Sequence, residues 1–348
     1  FKDGISVYYL SIHRNKRSLA VNFCDPKGLD LIRRLAGKAD VLVENFKPGV
    51  MAEMKMDYAA LAARNPRLIF ASITGFGATG PYGGWPGVDQ IAQGMSGLMS
   101  ITGQKESGPT RVGIPIADVV AGMWAALGVQ AAVIQRHATG KGQMVETSLL
   151  AGLIGLLTVQ GQRQLSLGET PGVAGNDHPV IYPYGMFQAK DGPFNMAAAT
   201  EDMWLKLCKL LGMEDWISHP DFKDNAARSR NREAVKQRLN EKFACRGKMD
   251  WTLELVRLGL PAGPIFTLEQ VFSDPHVNET GIVEEIEHPK LGTLRLIANP
   301  LRMPGLGARS VRSAPPALGA DSRRVLEDFG VSSGEIDALV ASRTVQCA

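Results

Sequence analysis

Apolar and polar residues alternate over residues 18–23 (SLAVNF), the period-two pattern of a half-buried strand. Asp25-Pro26 follows, a capping side chain ahead of a proline at a first helical position. Leu29, Ile32, Leu35, Ala36 and Ala39 then recur on one helical stripe. Residues 41–43 form a short apolar run closed by Glu44-Asn45-Phe46 and Pro48-Gly49. Residues 51–63 read as a second helix and residues 68–73 as a third strand. Strands and helices alternating through short connections predict a parallel sheet with crossover helices.

Beyond this point the pattern changes. Residues 74–87 (TGFGATGPYGGWPG) are rich in glycine and proline and follow a strand end, where open α/β sheets place their ligands. No Gly-Lys-Ser/Thr follows, so the stretch is no P-loop, and a tight irregular connection accounts for it as well as a ligand loop does. Residues 88–98 read as a helix. Residues 119–137 form a long one, apolar almost all round, which predicts burial. A further helix is expected over 147–159, and residues 161–183 dissolve into Gly, Pro, Asn and His, a connecting segment. A hairpin over 185–199 turns at Asp191-Gly192, and helices follow over 201–211 and 225–245. A second hairpin over 281–303 turns at Lys290-Leu291-Gly292, and helices over 322–329 and 333–341 close the chain. The expected fold is α/β: a large domain with an open, Rossmann-like parallel sheet over residues 1–170, then a linker and smaller α+β domain over 171–300. C-terminal helices over 301–348 return to the large domain.

Composition narrows the function. The 348 residues carry a net charge of only +3, with acidic and basic groups interspersed, which is no nucleic-acid footprint. The basic run at 14–17 is able to meet a polyphosphate, although a solvated surface explains it too. Cys24, Cys208, Cys245 and Cys347 have neither CxxC nor Cys/His ligand spacing, which disfavours structural zinc and disulfides. That fits a reducing compartment, the cytoplasm or a mitochondrial matrix. No apolar run reaches the roughly 20 residues that span a bilayer, so no membrane association is expected. The chain opens on Phe1 in what reads as mid-domain sequence, so a preceding segment is expected.

Residues 111–122 (RVGIPIADVVAG) hold a single acidic side chain, Asp118, between two apolar runs at the head of the long helix. Exposed N–H groups and the helix dipole favour an anion there. Asp118 is either the helix N-cap or a carboxylate nucleophile held in an apolar, glycine-rich setting, and one carboxylate has oxygens enough for both.

Eight segments taken together carry a resemblance. They are residues 15–18 (NKRS), 40–49 (DVLVENFKPG), 72–80 (SITGFGATG), 87–103 (GVDQIAQGMSGLMSITG), 113–122 (GIPIADVVAG), 139–143 (TGKGQ), 178–192 (HPVIYPYGMFQAKDG) and 258–264 (LGLPAGP). In this order and spacing the chain resembles the family III CoA-transferases, the group of formyl-CoA transferase and carnitine CoA-transferase, and most closely its succinyl-CoA-using, dicarboxylate branch. The resemblance implies that Asp118 is the nucleophile, through an aspartyl mixed anhydride and an aspartyl-CoA thioester. It implies that Asp89 orients groups around Asp118, although a helix-start carboxylate explains Asp89 equally. It implies that Glu44, Asn45, Phe46, Pro48 and Gly49 line CoA, together with Gly75, Phe76 and Gly77, where missing side chains admit the ligand to backbone. Acyl-CoA and a small carboxylic acid are then the substrates, with no tightly bound cofactor, no metal, and an interlocked homodimer.

Departures from the family pattern set further expectations. Relatives carry an earlier segment with the first strand, an Ala-Gly-Pro loop and a second strand. The glycine-rich loop that covers the active site in formyl-CoA transferase has only Ala197-Ala198-Ala199-Thr200 as its nearest counterpart, which leaves oxyanion stabilisation unassigned. Lys55 stands where many relatives have glycine and reads as a surface change. Arg111 is a candidate partner for a distal carboxylate. The main rival is α-methylacyl-CoA racemase, whose acid/base chemistry uses a His-Asp pair where this chain has Val88-Asp89; valine moves no proton. An intramolecular CoA-transferring isomerase would use the same aspartate. A non-catalytic CoA-binding protein would keep the fold and have no need of Asp118.

Overall fold

The computed structural model describes residues 1–307 and 309–348. They form a mixed α/β protein of two compact units. The first unit comprises residues 1–84, 122–147 and 268–348; the second comprises 85–121 and 148–267.

In the first unit, strands Val41–Glu44 and Ile69–Thr74 pair in parallel, with Val41 opposite Ile69 and Glu44 opposite Ser72. The helix Pro26–Ala36 begins as its sequence requires, with Asp25 accepting the Lys27 N–H at 2.9 Å and Pro26 just inside. Leu68, Ile69, Phe70 and Ala71 are almost fully buried, as a strand covered on both faces must be. Two expectations fail here. The strand over 18–23 shrinks to Ala20–Val21 and leaves the parallel sheet, pairing antiparallel with Val345–Gln346 near the C-terminus. The sheet's third strand is instead Met144–Ser148, beside Ile69–Thr74, where a helix was expected from residue 147. Ser148 ends that strand and caps the helix Leu149–Ile154, its Oγ accepting the Ala151 N–H at 3.1 Å.

Helix boundaries differ where a backbone residue takes a left-handed or turn conformation. The helix over 51–63 splits into Val50–Glu53 and Tyr58–Ala62 around Lys55, which has φ 51°. The helix over 225–245 breaks at Asn231 into Asn225–Arg230 and Arg232–Phe243. The segment over 161–183 is partly helical, because a helix runs from Thr158 to Leu167 and stops at left-handed Gly168. Both hairpins form as expected, Tyr184–Ala189 with Gly192–Ala197 and Val283–His288 with Gly292–Ile297.

The second unit has an aromatic core in which Phe243 meets Phe187, Phe194 and Trp251 edge-on at 5.0–5.9 Å between ring centres. Arg228 is buried against it, satisfied by Glu201 at 2.8 Å and by the Tyr182 and Phe222 carbonyls.

The long helix runs from Ile116 to Thr139, longer at both ends than its apolar run suggests. At 24 residues it is long and apolar enough to cross a membrane by length and composition, contrary to the expectation that no segment would be. Nor is it buried all round. Ala117, Val120, Ala121, Ala125 and Ala132 face inward, and a Cβ at Gly128 would lie 2.5 Å from the Val145 side chain. Val119, Met123, Trp124, Leu127 and Ile134 point out, Ile134 being 72% exposed. Small residues let this helix approach its neighbours closely, and the large apolar residues occupy the other face. Its last turn is tied down by Arg136, which bonds the Arg67 carbonyl and the Asp40 carboxylate, both at 3.0 Å.

Candidate active site

Asp118 lies inside the long helix, in its first turn, and is not the N-cap. A side chain from another helix performs that service. Asp89 is the first residue of the helix Asp89–Met95, and its Oδ1 accepts the Ala117 N–H at 2.8 Å. Its Oδ2 accepts Nε2 of Gln93, one turn along, at 2.8 Å. The Gln93 side chain, fully buried, accepts the Val112 N–H on Oε1 at 2.9 Å. One helical turn therefore holds both ends of residues 112–117, the approach to Asp118.

Among the described residues no hydrogen bond or ion pair engages the Asp118 carboxylate. It opens to solvent on one side, and the protein packed on its other side holds its carboxyl above the usual carboxylate range, with the nearby Asp89 charge adding to the effect. A carboxylate with no hydrogen-bond partner and a raised pKa is a better nucleophile than a fully solvated one.

The residues expected to meet CoA cluster in the first unit, at the carboxyl ends of the two parallel strands. Glu44 is buried with both oxygens engaged. Oε1 accepts the Ser72 hydroxyl, and Oε2 accepts the Phe46 N–H at 2.8 Å. Asn45 donates its amide to the Ile73 carbonyl. Glu44 and Asn45 therefore shape the loop, and the exposed Phe46 ring is what it presents. Pro48-Gly49 makes the turn into the next helix, Gly49 having φ 96°. In the neighbouring loop Thr74 Oγ1 accepts the Gly77 N–H at 2.8 Å, Gly77 has φ 96°, and Phe76 packs edge-on to Tyr82 at 6.2 Å. Residues 75–80 have the spacing G-x-G-x-x-G, but turns follow them and the next helix starts at Asp89, so this is no dinucleotide fingerprint. Two side chains with a part here do not stand out in the sequence, Ser72 and Gln93. Gln93 carries a signal all the same, an amide four residues after Asp89 on one helix face.

Of the remaining candidates, Arg111 is exposed and donates from Nε to the Val112 carbonyl at 3.2 Å. The 197–200 stretch is a strand end followed by a cap: Ala198 is buried, and Thr200 Oγ1 accepts the Met203 N–H at 3.3 Å. Val88 precedes Asp89 with its side chain largely exposed, a valine at the position where the racemase pattern has histidine.

Residues 1–322 match the model of CoA-transferase family III. The chain belongs to this family. This CoA-transferase is 34% identical over 347 residues to succinyl-CoA:glutarate CoA-transferase of Mus musculus, covering 99% of this chain and 79% of that one. It is 33% identical over 342 residues to succinyl-CoA:mesaconate CoA-transferase of Haloarcula marismortui, covering 96% and 84%. A CAIB/BAIF family protein from Brucella suis has a similar structure, with a TM-score of 0.82 and 35% identity over 93% of this chain and 84% of the other.

Proposed function

We propose that this CoA-transferase carries CoA from succinyl-CoA to a small dicarboxylate, with Asp118 as the covalent nucleophile. The observation that carries this reading is the state of Asp118: a carboxylate without a hydrogen-bond partner among the described residues, in the first turn of a helix, with its pKa raised. The names of the similar proteins support the donor and the acceptor class.

An Asp118 oxygen attacks the thioester carbonyl of the donor and expels CoA thiolate, leaving an aspartyl–succinyl anhydride. The thiolate returns to the aspartyl carbonyl, forming an enzyme–CoA thioester and releasing succinate. The acceptor carboxylate attacks that thioester, giving a new anhydride and thiolate. Attack of the thiolate on the acceptor's acyl carbon then yields the new acyl-CoA and restores Asp118. Asp89 positions the turn that carries Asp118. Phe46 and the backbone of 75–77 contact the CoA arm, with Glu44 and Asn45 holding the Phe46 loop and Thr74 bracing the other. Arg111 meets the distal carboxylate of the acceptor.

The same proposal includes a dimer. The outward face of the long helix exposes Met123, Trp124, Leu127 and Ile134, a patch suited to burial against a second copy of the chain. Interlocking of the two chains is the form the family resemblance leads us to infer.

The test is Asp118→Ala in the full chain, assayed with succinyl-CoA and glutarate. Loss of CoA exchange with retention of the fold supports the reading; wild-type turnover refutes it.

A further inference from the structure

We propose that Gln93 is a positioning residue for CoA transfer, its buried amide clamping the segment that delivers Asp118. This inference rests on the reading of Asp118 as nucleophile. The clamp is a closed ring. The Gln93 amide nitrogen holds Asp89 at 2.8 Å, Asp89 holds the Ala117 N–H at 2.8 Å, and the Gln93 oxygen holds the Val112 N–H at 2.9 Å. Residues 112–117 complete it, and Asp118 is the next residue.

The chemistry of the ring specifies an amide. Val112 offers a donor, so it takes the oxygen; a carboxylate accepts only, so Asp89 takes the nitrogen. No other uncharged side chain of this length both donates and accepts. A glutamate would keep the Val112 bond but set a negative charge against Asp89. A methionine would fill the same space and make neither bond. Gln93 has no exposed surface, so its two bonds are made from a buried amide. Asp89 is the charged side chain whose field acts on Asp118, so whatever holds Asp89 sets both the angle of the nucleophile and the charge beside it. A misplacement of about 1 Å in a reacting group is worth up to about 100-fold in rate.

The experiment compares Gln93→Met and Gln93→Glu with wild type in the full chain. It measures kcat, KM for succinyl-CoA, the acid limb of kcat against pH, and thermal unfolding. Gln93→Met is expected to lower kcat by about 10- to 100-fold, with KM for succinyl-CoA changed by less than about 3-fold. Gln93→Glu is expected to move the acid limb to higher pH, because a second carboxylate beside Asp89 disfavours ionisation nearby. A purely structural role would lower the unfolding temperature and leave the acid limb in place, and that result overturns the inference. So does wild-type kcat with a wild-type acid limb in both variants. Hydroxylamine trapping on the wild-type enzyme separates the two levels. Label on Asp118 with unaffected Gln93 variants refutes the clamp alone, and absence of label there refutes the nucleophile as well.

Discussion

The Ala117 N–H is bonded to Asp89 Oδ1 at 2.8 Å, so one helix caps the first turn of another and the neighbouring Asp118 is relieved of capping. A carboxylate that capped its own helix would be stabilised by those N–H groups and would attack a thioester poorly. Giving the cap to Asp89 keeps Asp118 uncommitted.

Asp118→Asn should lower turnover by at least about three orders of magnitude without unfolding the protein. Folding raises the carboxyl pKa, so the ionised form is disfavoured in the folded chain. That penalty is absent at pH below the ordinary carboxylate range and complete above the raised value. At neutral pH the asparagine variant should therefore unfold at the wild-type temperature or above it, with a gain that exposure keeps under about 1 kcal/mol. A clear fall in unfolding temperature would give Asp118 a structural role instead.

The same shift predicts the pH profile. Attack requires the ionised carboxylate, so kcat/KM for succinyl-CoA should fall as pH drops through a value above the ordinary aspartate range. Replacing Asp89 by asparagine removes the neighbouring charge and should move that limb to lower pH. A limb that stays in place in the Asp89 variant would remove Asp89 from the electrostatics of the site.

Glu44 should matter to stability and to CoA together. Its two oxygens hold the Ser72 hydroxyl and the Phe46 N–H where the parallel strands end. Glu44→Ala leaves a buried hydroxyl without its acceptor and should cost about 1–3 kcal/mol in denaturant unfolding. KM for succinyl-CoA should rise more than kcat falls. An unchanged unfolding midpoint would contradict the geometry of this loop.

Lys55 is a stability test independent of catalysis. Its φ of 51° lies in the left-handed region, where a side chain is strained and glycine is not. Lys55→Gly should stabilise the chain by about 0.5–1 kcal/mol. A loss of stability would mean that the lysine side chain makes a contribution the backbone strain does not explain.

Lys55 also shows what the sequence could and could not convey. From the sequence Lys55 reads as a surface change, because exposure is legible from polarity and a φ angle is not. The hairpins at Asp191-Gly192 and Lys290-Leu291-Gly292 were legible, since their turn chemistry is local. The strand at 18–23 was misplaced because its partner, Val345–Gln346, lies at the far end of the chain. The long helix looked buried because apolar character does not reveal how many faces a single chain covers. Asp118 stood out as an acid at a helix start, and it does lie in the first helical turn. Its freedom depends on Asp89 and Gln93, a relation across two helices that no local pattern encodes.

The most direct test of the central claim is to incubate the enzyme with succinyl-CoA without acceptor, quench it, and map the adduct by peptide mass spectrometry. The expected product is a CoA thioester on Asp118, converted to a hydroxamate by hydroxylamine at the same residue. An unmodified Asp118 in enzyme that turns over, or a CoA adduct on any other side chain, would contradict the role of Asp118 as nucleophile.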